Sequence, residues 1–287
     1  MNILVTGCNG QLGHEVRNLS PKYSMHHYHF TDVDDLDVCN ADAVNAFVSS
    51  NNIDCIINCA AYTAVDKAES DDNAAMRLNA CAPGILARAV ARNNGMMIHI
   101  STDYVFDGTA HEPYREDMPV SPVSVYGRTK WIGENRAIEA CRRTIILRTA
   151  WLYSPYGNNF VKTMMRLGRE KDSLGVVADQ IGTPTYAADL AAAIFTAIDK
   201  AIPAGIYHYS NEGVISWYDF AKAIHRIAGI TSCHVLPLTT DQYPTPAKRP
   251  HFSVLDKTKI KQACQMEIPY WEDSLRDCIA RLASHND

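Results

Sequence analysis

Ile3-Leu4-Val5-Thr6-Gly7-Cys8-Asn9-Gly10-Gln11-Leu12-Gly13 is the stretch on which the fold turns. Three apolar residues make a short buried strand, the glycines make a turn, and a helical pattern follows through about Asn18. Strand, glycine turn and helix together form the arrangement that holds a dinucleotide diphosphate. Gly7 permits the tight turn, Gly10 lets the backbone approach the phosphates, and Gly13 lets the helix pack close to the sheet. The helix N-terminus then faces the negative charge. The spacing, Gly-x-x-Gly-x-x-Gly, is one residue longer than the commonest form. An ordinary glycine turn is the competing reading, and the strand before and helix after weigh against it.

Working outward, Tyr28-His29-Phe30 reads as a second strand ending at Thr31-Asp32. Asp32 lies about 20 residues beyond Gly13, where a carboxylate bonds the ribose 2′-hydroxyl of a dinucleotide. A carboxylate there repels a 2′-phosphate, which favours NADH over NADPH. Asp34, Asp35 and Asp37 crowd the same loop, so a merely solvated acid is the alternative. The nearby His26, His27 and His29 read as a half-exposed strand and not as metal ligands. Ile53 to Asn58 is a third strand, followed by small residues at Cys59-Ala60-Ala61 that let a cofactor lie against the backbone. Residues from about Asp72 to Arg92 are helical, with a break or kink expected at Pro83-Gly84. Ile145-Ile146-Leu147-Arg148 is another buried strand, leading into Thr149-Ala150-Trp151.

This β-α alternation runs for about 150 residues and predicts an α/β fold: a Rossmann-type, doubly wound parallel sheet with helices on both faces. Beyond it, segments rich in Tyr, Asn, Pro and Arg interrupt the pattern, and they predict a smaller C-terminal lobe that holds a polar substrate. The division expected is residues 1–154 plus about 174–211 for the nucleotide domain, and about 155–173 with 212–287 for the lobe. Arg249, in a proline-rich loop, has the two-pronged fork suited to a phosphate.

The chemistry centres on Ser101-Thr102-Asp103-Tyr104 and Tyr126-Gly127-Arg128-Thr129-Lys130. Tyr126 and Lys130 share a helix face at i, i+4. An ammonium beside a phenol favours the phenolate, so Lys130 is expected to lower the Tyr126 pKa and make it a general acid for a carbonyl oxygen. The same spacing recurs at Tyr218 and Lys222. Context separates the pairs: Ile98-His99-Ile100 is a strand whose carboxyl end presents the Ser101 and Thr102 hydroxyls, where ligands sit in a parallel sheet. Tyr218 has no such partner and reads as packing.

With 287 residues, 47% hydrophobic content and a net charge of −5, the chain has ample core and no basic face for nucleic acid. No apolar run is long enough for a membrane span. The start lacks the basic and apolar regions of a signal peptide. The nine cysteines are scattered without a Cys-x-x-Cys pair, so free thiols in a cytoplasmic setting are expected.

Taken together, these segments resemble the extended short-chain dehydrogenase/reductase family, in the branch that reduces dTDP-linked 4-keto sugars. The resemblance covers nearly the whole chain. It is carried by Gly7 to Gly13, Ala60 to Glu69, Ser101 to Gly108, Tyr126 to Lys130, Arg148 to Trp151, Asn158-Asn159-Phe160 and Tyr243 to Arg249. It implies an NADPH- or NADH-dependent reductase, with Tyr126, Lys130 and Thr102 catalytic. The cofactor would be lined by Gly7, Gly10, Gln11, Leu12, Gly13, Asp32, Asp37, Val38, Ala61, Tyr62 and Thr63. Thr102, Asp103, Trp151, Asn159 and Arg249 would face a dTDP-sugar substrate. Some relatives are metal-bridged dimers; the resemblance leaves room for a homodimer, and no acidic constellation assigns a metal. Related 4,6-dehydratases carry Asp-Glu after the threonine; here Tyr104 follows Asp103, which argues for simple reduction. Epimerases and a non-catalytic dinucleotide-binding regulatory subunit, like that of methionine adenosyltransferase, share the scaffold and stand as alternatives.

Overall fold

The computed structural model describes residues 1–284. Its first half alternates as expected. Strand β1 (Asn2–Thr6) leads through the glycine turn into α1 (Gln11–Leu19), then come β2 (His27–Thr31), α2 (Ala41–Ser50) and β3 (Cys55–Asn58). Short helices α3 (Val65–Ala68) and α4 (Asp72–Ala75) precede α5 (Ala82–Arg92), β4 (Met96–Thr102), α6 (Val125–Ala140) and β5 (Thr144–Thr149). The break expected at Pro83-Gly84 takes another form: a π-helical turn over Met76–Cys81 joins α4 to α5, and Pro83 sits in the first turn of α5. A proline is tolerated there because a first-turn N–H has little helical use.

The second half is shorter-stranded. It comprises β6 (Leu152–Tyr153), α7 (Phe160–Glu170), β7 (Ser173–Val177), β8 (Ile181–Gly182), β9 (Thr185–Tyr186) and α8 (Ala187–Asp199). Strand β10 (Gly205–His208), β11 (Ile215–Ser216), α9 (Trp217–Ile227), β12 (His234–Leu238), α10 (Thr258–Cys264) and α11 (Trp271–Ser284) complete it.

Six strands form one parallel sheet in the order β10-β5-β4-β3-β1-β2. Alternate residues serve opposite faces. Ile3, Val5, Ile57, Ile98, Ile145 and Leu147 pack with Leu12 and Val16 of α1 and Leu190 and Ile194 of α8. Leu4, Ile56, Met97 and Ile146 pack with Val44 of α2, Leu86 and Val90 of α5 and Ala137 of α6. Both faces are therefore covered, which is why the strands read as continuous apolar runs. The chain order reverses around β1, and a crevice opens there at the carboxyl ends of β1 and β3.

A third cluster forms the lobe around Tyr153, Val161, Val176, Phe220, Ile224, Val235 and Leu275. Packing draws the division finely. Strand β7 pairs with β12 inside the lobe, whereas Ile260 and Cys264 of α10 return to the sheet core. Tyr218 lies against the lobe cluster, on a helix whose start is a Ser216/Asp219 capping box.

Between β5 and α6 lies a buried ion pair. Arg148 Nε donates to Glu134 Oε1 at 2.9 Å and Nη2 donates to Oε2 at 2.7 Å, with both side chains almost wholly buried. Replacing one partner leaves a bare buried charge, which typically costs ~3–5 kcal/mol. Arg148→Met should lower unfolding stability by about that range in urea titration, and the double variant Arg148→Met/Glu134→Leu should recover most of it. A double variant no better than the single one would show that the pair does not act as a unit.

Candidate active site

The glycine turn forms the floor of the crevice. Gly7 adopts φ +63°, and a Cβ there would lie 2.8 Å from the Ala60 backbone. The turn can therefore press against the chain that follows β3 only because Gly7 has no side chain. The crevice has two contiguous parts that share Gly7, Gly10, Cys59 and Ala61. One, of about 530 Å³, is lined by Asp32, Leu36, Asp37, Val38 and Leu78. The other, of about 590 Å³, is lined by Gln11, Leu12, Gly13, Thr63, Thr102, Asp103, Tyr126, Lys130, Trp151 and Asn159. Apolar walls with a carboxylate suit an adenosine; hydroxyls and a lysine suit a nicotinamide and a keto sugar. The residues present fit a dinucleotide.

Asp32 is fixed by the turn itself: its Oδ2 accepts from the Asn9 backbone N–H at 2.9 Å, and Oδ1 accepts from Val33 N–H at 2.8 Å. Asp37 accepts from Cys39 N–H at 2.9 Å. Leu36 and Leu78 were not read from the sequence. Leu78 comes from the π-helical turn, which carries no periodic signal.

Helix α6 is seated by three contacts. The Ser124 hydroxyl caps its N-terminus by accepting from Gly127 N–H, and Glu69 Oε1 accepts from Val125 N–H at 2.9 Å. Gly127 lets the helix press against the turn after β4, since a Cβ there would be 2.1 Å from the Tyr104 carbonyl oxygen. Asn79, on the π-helical turn, is a further positioning residue that the sequence did not reveal. Its amide accepts from Tyr62 N–H at 2.8 Å and donates to Tyr62 C=O at 3.0 Å, and it reaches Thr129 between Tyr126 and Lys130. A π turn at such a place is typical of functional sites.

Seated this way, Tyr126 lies edge-on to Tyr104, with ring centroids 5.6 Å apart. Thr102 Oγ1 donates to Asp103 Oδ1 at 3.0 Å and accepts from Tyr104 N–H. The Lys130 ammonium donates to the Ile100 carbonyl at 2.6 Å. The expected lowering of the Tyr126 pKa by Lys130 does not appear in this arrangement. Burial pushes the phenol well up, and the downward pull comes from the Thr102 hydroxyl. Lys130 is itself pushed down to about 8 by burial, partly offset by Glu134 and Cys59. Asp103 is pushed up to about 6 by burial, against its hydrogen bonds. Beneath them, Thr6, Asn58 and His99 form a buried hydrogen-bonded chain, and burial holds His99 neutral.

Trp151 takes φ +49°, uncommon for a bulky side chain and characteristic of strained functional positions. Its indole stacks on Trp217 with centroids 3.7 Å apart. Two expected site residues stand outside the crevice lining. The Tyr62 phenol donates to Asp71 at 3.3 Å, so only its backbone faces Asn79. Arg249 donates to Asp66 Oδ2 at 2.7 Å and to the Tyr104 hydroxyl at 3.0 Å, so its fork is engaged at the rim.

A family model described as the RmlD substrate binding domain matches residues 1–284. The chain belongs to this family. A dTDP-4-dehydrorhamnose reductase of Aggregatibacter actinomycetemcomitans is 42% identical, covering 96% of this chain and 97% of its own. The crystal structure of a dTDP-4-dehydrorhamnose reductase from Clostridium acetobutylicum superposes with a TM-score of 0.95 at 45% identity, covering 99% of this chain and all of that one. One from Bacillus anthracis, in complex with NADP, gives 0.93 at 38% identity, covering 98% and 99%.

Burial of Asp103 and Lys130 sets the pH profile to expect. kcat/KM reports groups of the free enzyme. If activity needs Asp103 ionised and Lys130 protonated, kcat/KM rises through about 6 and falls through about 8. Asp103→Asn should abolish the acid limb and leave the alkaline one. An acid limb unchanged in that variant would assign it to another group.

Proposed function

We propose that this protein is an NAD(P)H-dependent reductase that converts the 4-keto group of dTDP-4-dehydro-L-rhamnose (dTDP-6-deoxy-L-lyxo-4-hexulose) to the alcohol of dTDP-L-rhamnose. Its product serves cell-surface polysaccharide synthesis. The observation that carries the reading is Tyr126 and Thr102 meeting in one crevice with Lys130 one helical turn away, beside a glycine turn that fits a dinucleotide. The full-length likeness to reductases of that name supports the substrate. No helix among the described residues is long and apolar enough to cross a membrane. The nine unpaired thiols support a cytoplasmic setting.

When bound, the reduced nicotinamide supplies the hydride. The chain does the rest. Thr102 bonds the keto oxygen and Tyr126 donates the proton to it. The neutral phenol is the form a donor needs, and burial keeps it so. Lys130, cationic below about 8, would hold the nicotinamide ribose and would stabilise negative charge developing on the phenol oxygen. Trp151 offers the deoxy-sugar a flat apolar face backed by Trp217. Asp103 and Asn159 line the same side, and Arg249, once turned from the Asp66 carboxylate and Tyr104 hydroxyl that engage it at the rim, serves the diphosphate. The sheet core, residues 1–154 with α8, β10 and α10, would carry the cofactor, and the lobe cluster, β7 included, the sugar nucleotide.

The direct test mixes the protein, the 4-keto sugar nucleotide and each reduced cofactor, following absorbance of the reduced nicotinamide. Turnover is expected; tight binding without oxidation would make the protein a regulatory subunit. Tyr126→Phe should slow turnover by ~10²–10⁴-fold with cofactor affinity nearly unchanged. Wild-type turnover in that variant would remove Tyr126 as the donor.

Asp32 should set cofactor preference. Asp32→Ala removes a charged hydrogen bond to the ribose and the repulsion of a 2′-phosphate, so the NADPH-to-NADH ratio of kcat/KM should rise. Asp32 also holds Asn9 in the glycine turn, so both absolute rates should fall. An unchanged ratio would place the discriminating contact elsewhere. Arg249→Ala should raise KM for the sugar nucleotide roughly ten- to a hundredfold, the loss of a charged contact of ~1.5–3 kcal/mol. NADH affinity measured without substrate should stay as in the wild type, and a parallel loss there would assign Arg249 to the fold.

A further inference from the structure

Gln11, His14 and Asn18 fall at i, i+3 and i+7 along α1 and so form one stripe on the helix that begins at the glycine turn. All three touch the same short loop, residues 154–159, through which the chain leaves the sheet and enters α7. Gln11 Oε1 accepts from Asn159 Nδ2 at 3.0 Å and from the Ser154 hydroxyl at 3.4 Å. The His14 ring stacks on Tyr156, with centroids 4.6 Å apart and planes 15° from parallel. Asn18 Nδ2 donates to the Tyr156 hydroxyl at 2.8 Å.

Asn159 is the centre of this clasp. Its Nδ2 also donates to the Ser154 carbonyl at 2.7 Å, and its Oδ1 accepts from Lys162 N–H to cap α7. One amide thus closes its own loop, starts a lobe helix and grips the first residue of the cofactor helix. A surface contact would not need all of this. Gln11 and Asn159 both also line the crevice that holds Thr102, Tyr126 and Trp151. A ligand on either side meets a side chain whose orientation the other side fixes.

We propose that this clasp couples the two ligands: cofactor on α1 and sugar nucleotide against the lobe raise each other's affinity through Gln11–Asn159, with Tyr156 and Asn18 as positioning residues. The inference rests on the function proposed above. Two ligands that favour the same seating of one loop must help each other equally, because the coupling is reciprocal.

The experiment measures the dissociation constant of NADP⁺ alone and with saturating thymidine diphosphate, an unreactive pair, and then the reverse. Wild type should show tightening within the usual range for coupled sites, about 5–150-fold, and the same factor both ways. Tyr156→Leu and Asn18→Ala should bring the factor towards one while each ligand alone binds nearly as in the wild type. Asn159→Ser keeps a hydroxyl to cap α7 but is too short to reach Gln11, and it should lose the coupling too. Thermal unfolding verifies that each variant is folded. Coupling as large in these variants as in the wild type would make the clasp merely structural and overturn the proposal. So would thymidine diphosphate binding to the wild type with a factor near one. No binding of thymidine diphosphate at all would overturn the functional reading, and this inference with it.

Discussion

The close seating of α6 on the turn after β4 is the constraint on which the site depends. Gly127 admits the Tyr104 carbonyl where any side chain would collide, and Glu69 and Ser124 fix the end of the helix. Only then do Tyr126 and Thr102 meet, and only then does Lys130 reach the Ile100 carbonyl. The rest of the fold keeps these two elements still. Strand β4 lies at the middle of the sheet with β5 beside it, and the Arg148–Glu134 pair ties β5 to α6 one turn beyond Lys130. Such a pair adds little net stability over apolar packing, yet it holds one alignment and punishes any other.

The electrostatics follow from burial more than from charge pairing. A phenol taken out of water resists ionisation, and an ammonium taken out of water gives up its proton more readily. Tyr126 is thus kept protonated, while Lys130 sits close enough to neutrality for small changes around it to matter. His99, Asn58 and Thr6 beneath the site add hydrogen bonds without adding charge. The site is a low-dielectric pocket with few ions, in which a developing negative charge on oxygen is felt strongly.

What the sequence disclosed is what local pattern encodes. The run from Ile3 to Gly13 carries strand, turn and helix within a few residues, and Ile98 to Thr102 carries a strand with hydroxyls at its end, so the parallel sheet and the crevice were legible. So was the placing of Tyr126 and Lys130 on one helix and of Tyr218 against the lobe core. What stayed hidden depends on partners far along the chain. Arg249 reads as an exposed fork until Asp66, 183 residues away, is seen to hold it. Asn79 reads as an ordinary helical residue until the π turn aims it at Tyr62. Pro83 signalled an interruption of the helix, but it falls in the first turn of α5, directly after the π-helical turn, where its N–H is not needed. Helical spacing puts Lys130 on the face of Tyr126, but the Ile100 carbonyl, 30 residues back in the chain, captures the ammonium.

The claim at the centre of this account is that burial, with Thr102 alone pulling the other way, keeps the Tyr126 phenol neutral until a substrate oxygen arrives. Titrating the protein labelled with ¹³C at the tyrosine ring carbon, with Tyr126→Phe to assign the signal, measures this directly. The account expects the Tyr126 resonance to show no ionisation up to pH ~10, the ordinary value for a free phenol. A transition near neutral pH would contradict it and would restore a lysine-activated phenolate as the state from which the reaction starts.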